Sequence, residues 1–582
     1  MLEQRYRWKN KQLREHVSVL DGKLSPTILL KNARYLNQTF RKWMRANIWI
    51  YEDRIVYVGE KLPENTENSE TIDCVNQFIV PGYIEPHAHP FQLYNPLTLA
   101  EFAAQYGTTT LINDNLSLVM QLSDRKKAFA FLKEMRTIPT TMYWWCRFDP
   151  QTEINEEELT FSHSNIKAWL EHDAVLQGGE LTGWPRLLHG DDMMLHWIQE
   201  AKRMRKKIEG HFPGASEKTL AKLTLLGADC DHEAITGQEV YNRLMQGYMV
   251  SLRYSSIRPD LLNLLDEIHQ LGIQQYDRFM LTTDGSYAHF YEQGLIDHLI
   301  RIAMEKGVPV IDAYNMATIN VARYYNIEYL HGNIATGRVA NLNFLEDERN
   351  PTPISVMAKG KWLKRDGKKI VNQYKKLDWK SYGFAPLEID WEITKDDLQF
   401  SMPFGMKMEN SVIIKPYSVT IDVSYDQLST DHDECFFMMI DRKGKWRINT
   451  MLKGFSNKLS GLASSFSTTG DILLIGKNKQ DMIHAFKHMQ KIGGGIVIAE
   501  DGKIELEMPL LLNGVLSDKS VEEIMTEEKR FLQYLKNKGY PYKDPIYSLL
   551  FFSSTHLPYL RITQRGMYDV MNKMVLFPTI MR

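Results

Sequence analysis

An α/β fold built on a parallel sheet or barrel is what the sequence predicts, and three observations carry that expectation. Between residues 95 and 345, short apolar runs alternate with stretches of helical period and length, as in parallel strands joined by helices. On both flanks of this region the chain reads as β segments punctuated by turn residues. Beyond about residue 400, strands and helices mix again in a third region. The 582 residues are enough for several domains, and 43% hydrophobic with 24% charged residues is an ordinary composition for a folded protein.

In chain order, "TILLKNARYL" and "ANIWIYEDRIVYVGE" predict strands, with Glu52-Asp53 as a turn. "NQFIVPGYIEPH" predicts one further strand that leads into His87 and His89. Within the alternating region, strands are expected at Thr108–Ile112, Thr141–Trp145, Met249–Leu252, Arg278–Leu281 and Pro309–Asp312. "ANLNFLED" returns to strand character, and "ISVMAKGKWLKRDGKKI" predicts a hairpin around Lys359-Gly360. A sheet assembled from both flanks of the βα region follows. Residues 377–400 are polar and read as a connector. In the third region "DILLIGK" and "GGIVIAEDGKIELEM" predict strands, while "QDMIHAFKHMQKI" and "SVEEIMTEEKRFLQYLKNKG" predict helices.

Several function classes are disfavoured. A formal net charge of −2 provides no global field for nucleic acid or an anionic membrane. The N-terminal stretch "MLEQRYRWKNKQLREHV" is charged throughout and lacks the apolar core of a signal peptide. No apolar run approaches the length of about 18 residues that a membrane span needs. Cys74, Cys146, Cys230 and Cys435 are scattered without CxxC pairing, which argues against a disulfide framework and a cysteine zinc site. A reducing cytoplasm is the expected location. Gly493–Gly495 lacks the Gly-Lys-Ser/Thr of a phosphate loop and reads as a tight turn into a strand. The basic run Lys202–Lys207 reads as a solvated helix face.

The chemistry concentrates around "PGYIEPHAHP". Residues i and i+2 of a strand share a face, so His87 and His89 would present two imidazoles side by side where the strand gives way to a loop. Neutral imidazole is the commonest protein metal ligand. A bare HxH motif is weak alone, but partners follow at βα spacing. "LQGGELTGWP" offers Glu180, "KKIEGHFPG" offers His211, "LGADCDHEA" offers His232 and "FMLTTDGS" offers Asp284. Each follows a short apolar stretch and precedes a helical one, which places it at the same end of a different strand. Glu180 read alone is an ordinary helix cap and Asp284-Gly285 an ordinary turn. Together, four histidines and two carboxylates could hold two divalent ions, a carboxylate bridging with its two oxygens.

With these residues in place the sequence resembles the amidohydrolase superfamily and, within it, the adenine deaminase family. "VPGYIEPHAH", "GTTTLINDN", "GGELTGWP", "GHFPG", "DHE" and "TTD" are similar to successive strand ends of that superfamily. "IDAYNMATINVARYY" and "GNIATGRVANLNFLED" resemble its barrel-closing helix and its return to the flanking sheet. "MQKIGGGIVIAEDGKIELEMPLLLNGVLSD" and "YLRITQRGMYDV" resemble the C-terminal domain specific to adenine deaminases. The resemblance implies a (β/α)8 TIM-type barrel over residues 81–340, a small β-sandwich from residues 1–80 plus 341–376, and a C-terminal α/β domain over 400–582. It implies one or two divalent ions, manganese foremost with iron or zinc as alternatives, held by His87, His89, Glu180, His211, His232 and Asp284. It further implies a nucleobase-like small-molecule substrate and allows a homodimer.

The match is uneven. Asn115-Leu116-Ser117 stand where the family has Pro-His-Glu, and Thr283-Asp284-Gly285 where it has Thr-Asp-Asp. "SSFSTTGD" replaces a His-Asp-Ser-His stretch, and the third strand ends in "WWCRFDP". The metal-binding set is thus retained while the substrate-facing residues differ.

The implied chemistry is metal-assisted hydrolysis. Asp284 takes the proton of the attacking water and delivers it to leaving ammonia. For adenine, attack at C6 gives hypoxanthine. Glu233 is the expected proton donor to a ring nitrogen, provided the chain has left its strand there. Arg253 matches a family arginine and is a substrate contact. Arg147 has no counterpart; at the mouth it would favour a carboxylate or phosphate on the substrate. Trp144 or Trp145 could stack on a flat ring while the other packs in the core. Hydrolysis of another aminopurine, a cyclic amide or an N-acyl substrate is the alternative, and a non-catalytic binding protein on the same scaffold a further one.

Overall fold

The computed structural model describes residues 9–122 and 124–582. Residues 1–8, the start of the charged N-terminal stretch, lie outside the described residues. The first five strands are β1 (Ile28–Asn37), β2 (Lys42–Tyr51), β3 (Arg54–Gly59), β4 (Glu70–Asp73) and β5 (Phe78–Pro81). Eight parallel strands follow in sequential order: β6 (Tyr83–Ala88), β7 (Thr108–Asn113), β8 (Thr141–Cys146), β9 (Val175–Leu181), β10 (Lys207–Gly210), β11 (Cys230–Asp231), β12 (Met249–Arg253) and β13 (Phe279–Thr282). This is the near-closed barrel expected of the sequence, with helices between strands.

Strand β14 (Leu342–Leu345) leaves the barrel region and pairs antiparallel with β5. The hairpin β15 (Ser355–Ala358) and β16 (Lys361–Arg365), then β17 (Lys368–Lys369), extend the same sheet in the order β17-β16-β15-β14-β5-β1-β2-β3, β4 pairing with β1. Both flanks of the barrel therefore build one sheet. A second nine-stranded sheet lies beyond residue 400, with the helices Lys479–Ile492 and Val521–Asn537 and a small three-stranded sheet at Leu560–Pro578. Ser520 begins the second helix with a reciprocal cap: its hydroxyl accepts from the Glu523 N–H, and the Glu523 carboxylate accepts from the Ser520 N–H.

The stretch read as one strand, "NQFIVPGYIEPH", is two. Gly82 separates β5 from β6, and the chain crosses from the flanking sheet into the barrel there. A Cβ on Gly82 would collide with the Thr109 side chain, so only glycine lets the two sheets approach so closely. The segment Pro309–Asp312, expected as a strand, instead opens the helix Val310–Met316. A short apolar run cannot by itself separate strand from buried helix. The basic run Lys202–Lys207 is not a continuous helix face either. Its helix ends at Arg203, Lys206 is buried with its ammonium donating to the His172 carbonyl, and Lys207 starts β10.

Strand alternation divides the barrel interior into two levels. The lower level is apolar: Ile84, Ile112, Tyr143, Trp145, Leu176, Cys230, Met249 and Met280 pack with Val321, Ala322 and Tyr325 from the closing helix and its end. The upper level is polar and forms the mouth. Glu85 laces the seam between the first and last strands: Thr282 Oγ1 donates to its Oε1 at 2.7 Å, and the Thr283 N–H and Oγ1 donate to its Oε2 at 2.9 and 2.8 Å. The C-terminal region covers the mouth. The Ser517 N–H donates to the Leu93 carbonyl, Asn95 Nδ2 donates to the Ser517 carbonyl, and the Thr555 N–H donates to the Gln151 carbonyl. All four cysteines are buried and unpaired, and no helix among the described residues is long and apolar enough to cross a membrane.

Candidate active site

Side-chain parity explains why the polar residues converge. Two or four residues beyond an interior apolar position, the side chain points the same way but sits higher in the barrel. Leu176 is thus followed inward by Glu180, Cys230 by His232, Met249 by Arg253, Met280 by Asp284, and Ile112 by Asp114. Glu209 and His211 follow the same alternation on and after β10. On β6 the pairing with β7 shifts between Glu85 and Ala88, and beyond it His87 packs its ring against interior Trp145, centroids 4.4 Å apart. Strand β11 ends at Asp231, so His232 and Glu233 both turn into the mouth instead of facing opposite ways. Gly179 has a φ of +96°, and a Cβ there would meet the Glu209 carbonyl, so glycine is required immediately before Glu180.

The six sequence-predicted ligands meet in one place. His87 Nε2 lies 3.2 Å from His89 Nε2, 3.6 Å from Asp284 Oδ1 and 3.9 Å from Glu180 Oε2. His89 Nε2 lies 3.0 Å from Asp284 Oδ1. The other oxygen of Glu180, Oε1, is 2.5 Å from His211 Nδ1 and 3.3 Å from His232 Nε2, and those two nitrogens are 3.3 Å apart. Glu180 therefore stands between two groups of donors with one oxygen toward each. Overlapping trios (His87, Glu180 and His232; His87, His89 and Asp284; His211, His232 and Glu233) each bring their donor atoms within 4.8 Å of one another.

These residues fit a divalent ion. Ligand atoms about 2.1 Å from a common ion stand roughly 3.0–3.4 Å from one another, which is the spacing of the closest pairs. Neighbouring carboxylates fix the rings. His89 Nδ1 faces Asp114 Oδ2 at 3.0 Å, while His232 Nδ1 and His87 Nδ1 face the same Glu209 Oε1 at 3.2 and 3.6 Å. With Nδ1 hydrogen-bonded in His89 and His232, their Nε2 is left free to point at the centre.

Buried charge is balanced locally. Burial would raise the Glu180 carboxyl, but Arg147 and His211 outweigh it and hold it well below the usual carboxylate range. The same opposition applies to Asp284, where the hydrogen bond with His89 and the Arg253 charge overcome burial. Arg253 Nη1 lies 2.5 Å from Glu233 Oε1 and 2.9 Å from Asp284 Oδ2. Burial similarly opposes ionisation of Glu233, yet Arg253, His211, His232 and Arg258 keep it a carboxylate. Glu85 differs: burial pushes its carboxyl up to about 7 despite its hydrogen bonds from Thr282 and Thr283.

Arg147 and Trp144 are not where the sequence reading put them. Arg147 is fully buried beneath the mouth, its guanidinium paired with Asp114 Oδ2 and Glu180 Oε2, both at 2.7 Å. It has no carboxylate or phosphate to await because two buried carboxylates already hold it. Trp144 points outward on β8 and packs near Phe91 and Phe131, since the interior parity belongs to Tyr143, Trp145 and Arg147. Trp145 packs against His87, and its Nε1 donates to Asp114 Oδ1 at 2.8 Å.

Sequence reasoning missed Asp114 and Glu209, whose inward parity on or just after an apolar strand was the available signal, and Glu85, which adjoins interior Ile84 where the β6 pairing is irregular. It also missed Gln92, Arg258, Tyr547 and His556, which no local pattern marks. A cavity of about 500 Å³ opens above the six ligands, and the C-terminal region supplies much of its wall, including Phe466, Leu550, Phe551 and His556. Leu116, Ser117, Gly285, Phe466, Ser467 and Thr468 all line it, so three separated departures from the family pattern meet at one cavity.

Residues 78–363 match the sequence profile of the amidohydrolase family, and residues 411–574 match that of the adenine deaminase C-terminal domain. The chain is 58% identical to a Bacillus cereus protein called "Putative adenine deaminase", across 99% of this chain and 97% of that protein. It is 55% identical to "Putative adenine deaminase YerA" of Bacillus subtilis, with 100% of both covered. A Listeria welshimeri protein called "Adenine deaminase" is 27% identical across 96% of this chain and 97% of its own. Among solved structures, a β-aspartyl dipeptidase from Fervidobacterium islandicum AW-1 aligns with a TM-score of 0.47 and 15% identity, covering 60% of this chain and 100% of that one. A D-hydantoinase from Thermus sp. aligns at 0.44 with 14% identity, covering 59% and 96%.

Proposed function

The chain belongs to the adenine deaminase family of amidohydrolases, hydrolases acting on C–N bonds in cyclic amidines, and from that premise we propose that it deaminates adenine to hypoxanthine and ammonia. The observation that carries this reading is the convergence of His87, His89, Glu180, His211, His232 and Asp284 beneath a cavity roofed by the C-terminal region. Mixed imidazole and carboxylate donors suit manganese, iron or zinc, and the bridging position of Glu180 suits a pair of ions. When bound, such ions supply Lewis-acid charge that makes water acidic near neutral pH.

The chain's own residues supply the proton handling. Asp284 is ionised and held between His89 and Arg253. It accepts the proton of the attacking water and returns it to the amino group, which departs as ammonia. Glu233, ionised beside Arg253 and Arg258, takes the second proton of the attacking water and passes it to the ring nitrogen next to C6, which becomes the N–H of hypoxanthine. Glu85 and Glu209 hold the ligand strands and rings in place behind the site.

The cavity is roomier than one planar base requires. That volume favours a second reading in which the substrate is an aminopurine or related cyclic amidine carrying a substituent. Purified protein reconstituted with manganese and given adenine should release ammonia and form hypoxanthine in equal amounts, with metal content measured on the same sample. Full metal occupancy without turnover of adenine or of any substituted aminopurine would remove both readings.

A further inference from the structure

The geometry points to Tyr547 and Gln92 as a paired recognition element that hydrogen-bonds one edge of the substrate ring beside Asp284. The two residues come from distant parts of the chain. Gln92 lies in the loop after the first barrel strand, and Tyr547 lies on the helix Pro545–Phe551 of the C-terminal region. Both line the cavity above the ligands. Tyr547 is 2% exposed, and its hydroxyl is buried with no hydrogen-bond partner among the described residues. Gln92 is 9% exposed, and its Oε1 is likewise buried without a partner among the described residues. Buried polar atoms are rarely left unpaired, so two of them on residues that line one cavity are best explained by a ligand that satisfies them.

Gly285 locates the pair. A Cβ built on it would lie 2.9 Å from the Tyr547 hydroxyl and 3.2 Å from both Gln92 Nε2 and the His89 Cβ. The hydroxyl and the amide therefore occupy the space a side chain at 285 would take, immediately beside Asp284 and over His89. A neutral hydroxyl and a carboxamide offer both donors and acceptors at short spacing. They match a planar ring edge with an acceptor nitrogen next to an N–H, and they reject a ring edge that is only hydrocarbon. Phe551, 5.1 Å from the Tyr547 ring, holds that ring in place from the same helix.

This inference rests on the reading of the cavity as the purine site. The test measures equilibrium binding of hypoxanthine and steady-state turnover of adenine by the metal-loaded full chain, in wild type, Tyr547→Phe and Gln92→Leu. Each variant is expected to weaken hypoxanthine binding about tenfold and to raise KM for adenine by a similar factor, with metal content unchanged. Because the residues come from different regions, a folding defect shared by both variants is not expected, and their melting temperatures check it. If wild type binds hypoxanthine and both variants bind it equally well, the pairing is overturned while the purine reading stands. If metal-loaded wild type binds no purine, both are overturned.

Discussion

Arg147 Nη2 stands 2.7 Å from Glu180 Oε2, and the arginine side chain is completely shut off from solvent. The same nitrogen is 2.7 Å from Asp114 Oδ2. One guanidinium thus balances the carboxylate between the two histidine groups and the carboxylate that orients His89. Removing it leaves two buried charges without their partner, which costs about 3–5 kcal/mol in comparable pairs. Arg147→Met should therefore lower stability by that order in chelator. Divalent metal should recover part of the loss, because the ion brings positive charge to the same oxygens. Chemical denaturation with and without manganese checks this; equal destabilisation in both conditions would show that Glu180 is not a metal ligand.

The division of donors around Glu180 predicts metal stoichiometry. His89 and Asp284 lie on the Oε2 side, and His211 and His232 contact Oε1. His89→Ala and His211→Ala should each lose one of two ions, and Glu180→Gln should weaken both sites. Elemental analysis of variants purified with excess manganese reads this directly. Loss of both ions from each single histidine variant would favour one shared ion.

Much of this site could be read from the sequence because its residues obey a local rule. Glu180 lies at the end of a short strand, and His211, His232 and Asp284 just beyond theirs; the interior face of each is set by period-two alternation, so their convergence needed only the barrel. Arg147 obeyed the same rule but was misplaced, because alternation gives direction and not depth: two carboxylates, one from each neighbouring strand, hold it below the mouth. Trp144 failed because two adjacent tryptophans leave the parity of a strand ambiguous until its neighbours are known. Pro309–Asp312 failed because four residues are too few to tell strand from helical period; in the structure Pro309 is exposed and Val310 and Ile311 are half-buried at the start of a helix. Tyr547 and His556 were out of reach, since a loop and helix more than 260 residues beyond Asp284 meet it only through tertiary packing.

Asp284 and Arg253 give the next expectation. Their 2.9 Å contact and the 3.0 Å contact of Asp284 with His89 keep the carboxylate ionised and aimed at the cavity. Asp284→Asn preserves size and removes the proton acceptor, so kcat should fall by roughly 10²–10⁴, the usual worth of a positioned acid–base group. Arg253→Met frees both Asp284 and Glu233 from their shared cation and should lower kcat less, while raising the pH at which the acidic limb of the rate profile falls. Initial rates of ammonia release across pH distinguish the two. Unchanged kcat in Asp284→Asn would remove Asp284 from the proton path.

A pH effect on stability should arise away from the metal site, where Glu528 docks the helix Val521–Asn537 onto the barrel. Its carboxylate is fully buried and accepts the Ala288 and His289 N–H groups at 3.1 and 2.6 Å. Burial nevertheless dominates and pushes its pKa from 4.5 up to about 8. A raised carboxyl binds its proton more tightly in the folded chain than in the unfolded one. Its stabilising contribution is therefore complete below about pH 4.5 and is lost as pH rises through about 8. The slope approaches about 1.4 kcal/mol per pH unit within that window. Glu528→Gln carries no titrating proton and keeps an oxygen for the two N–H groups. It should match wild type to within about 1 kcal/mol near pH 5 and become the more stable of the two above pH 8. Taking the difference between the two proteins cancels the other titrating groups, including Asp544, which burial raises to about 7. Parallel stability curves from pH 5 to pH 9 would mean that Glu528 enters the folded state already ionised, and that the two backbone donors outweigh its burial.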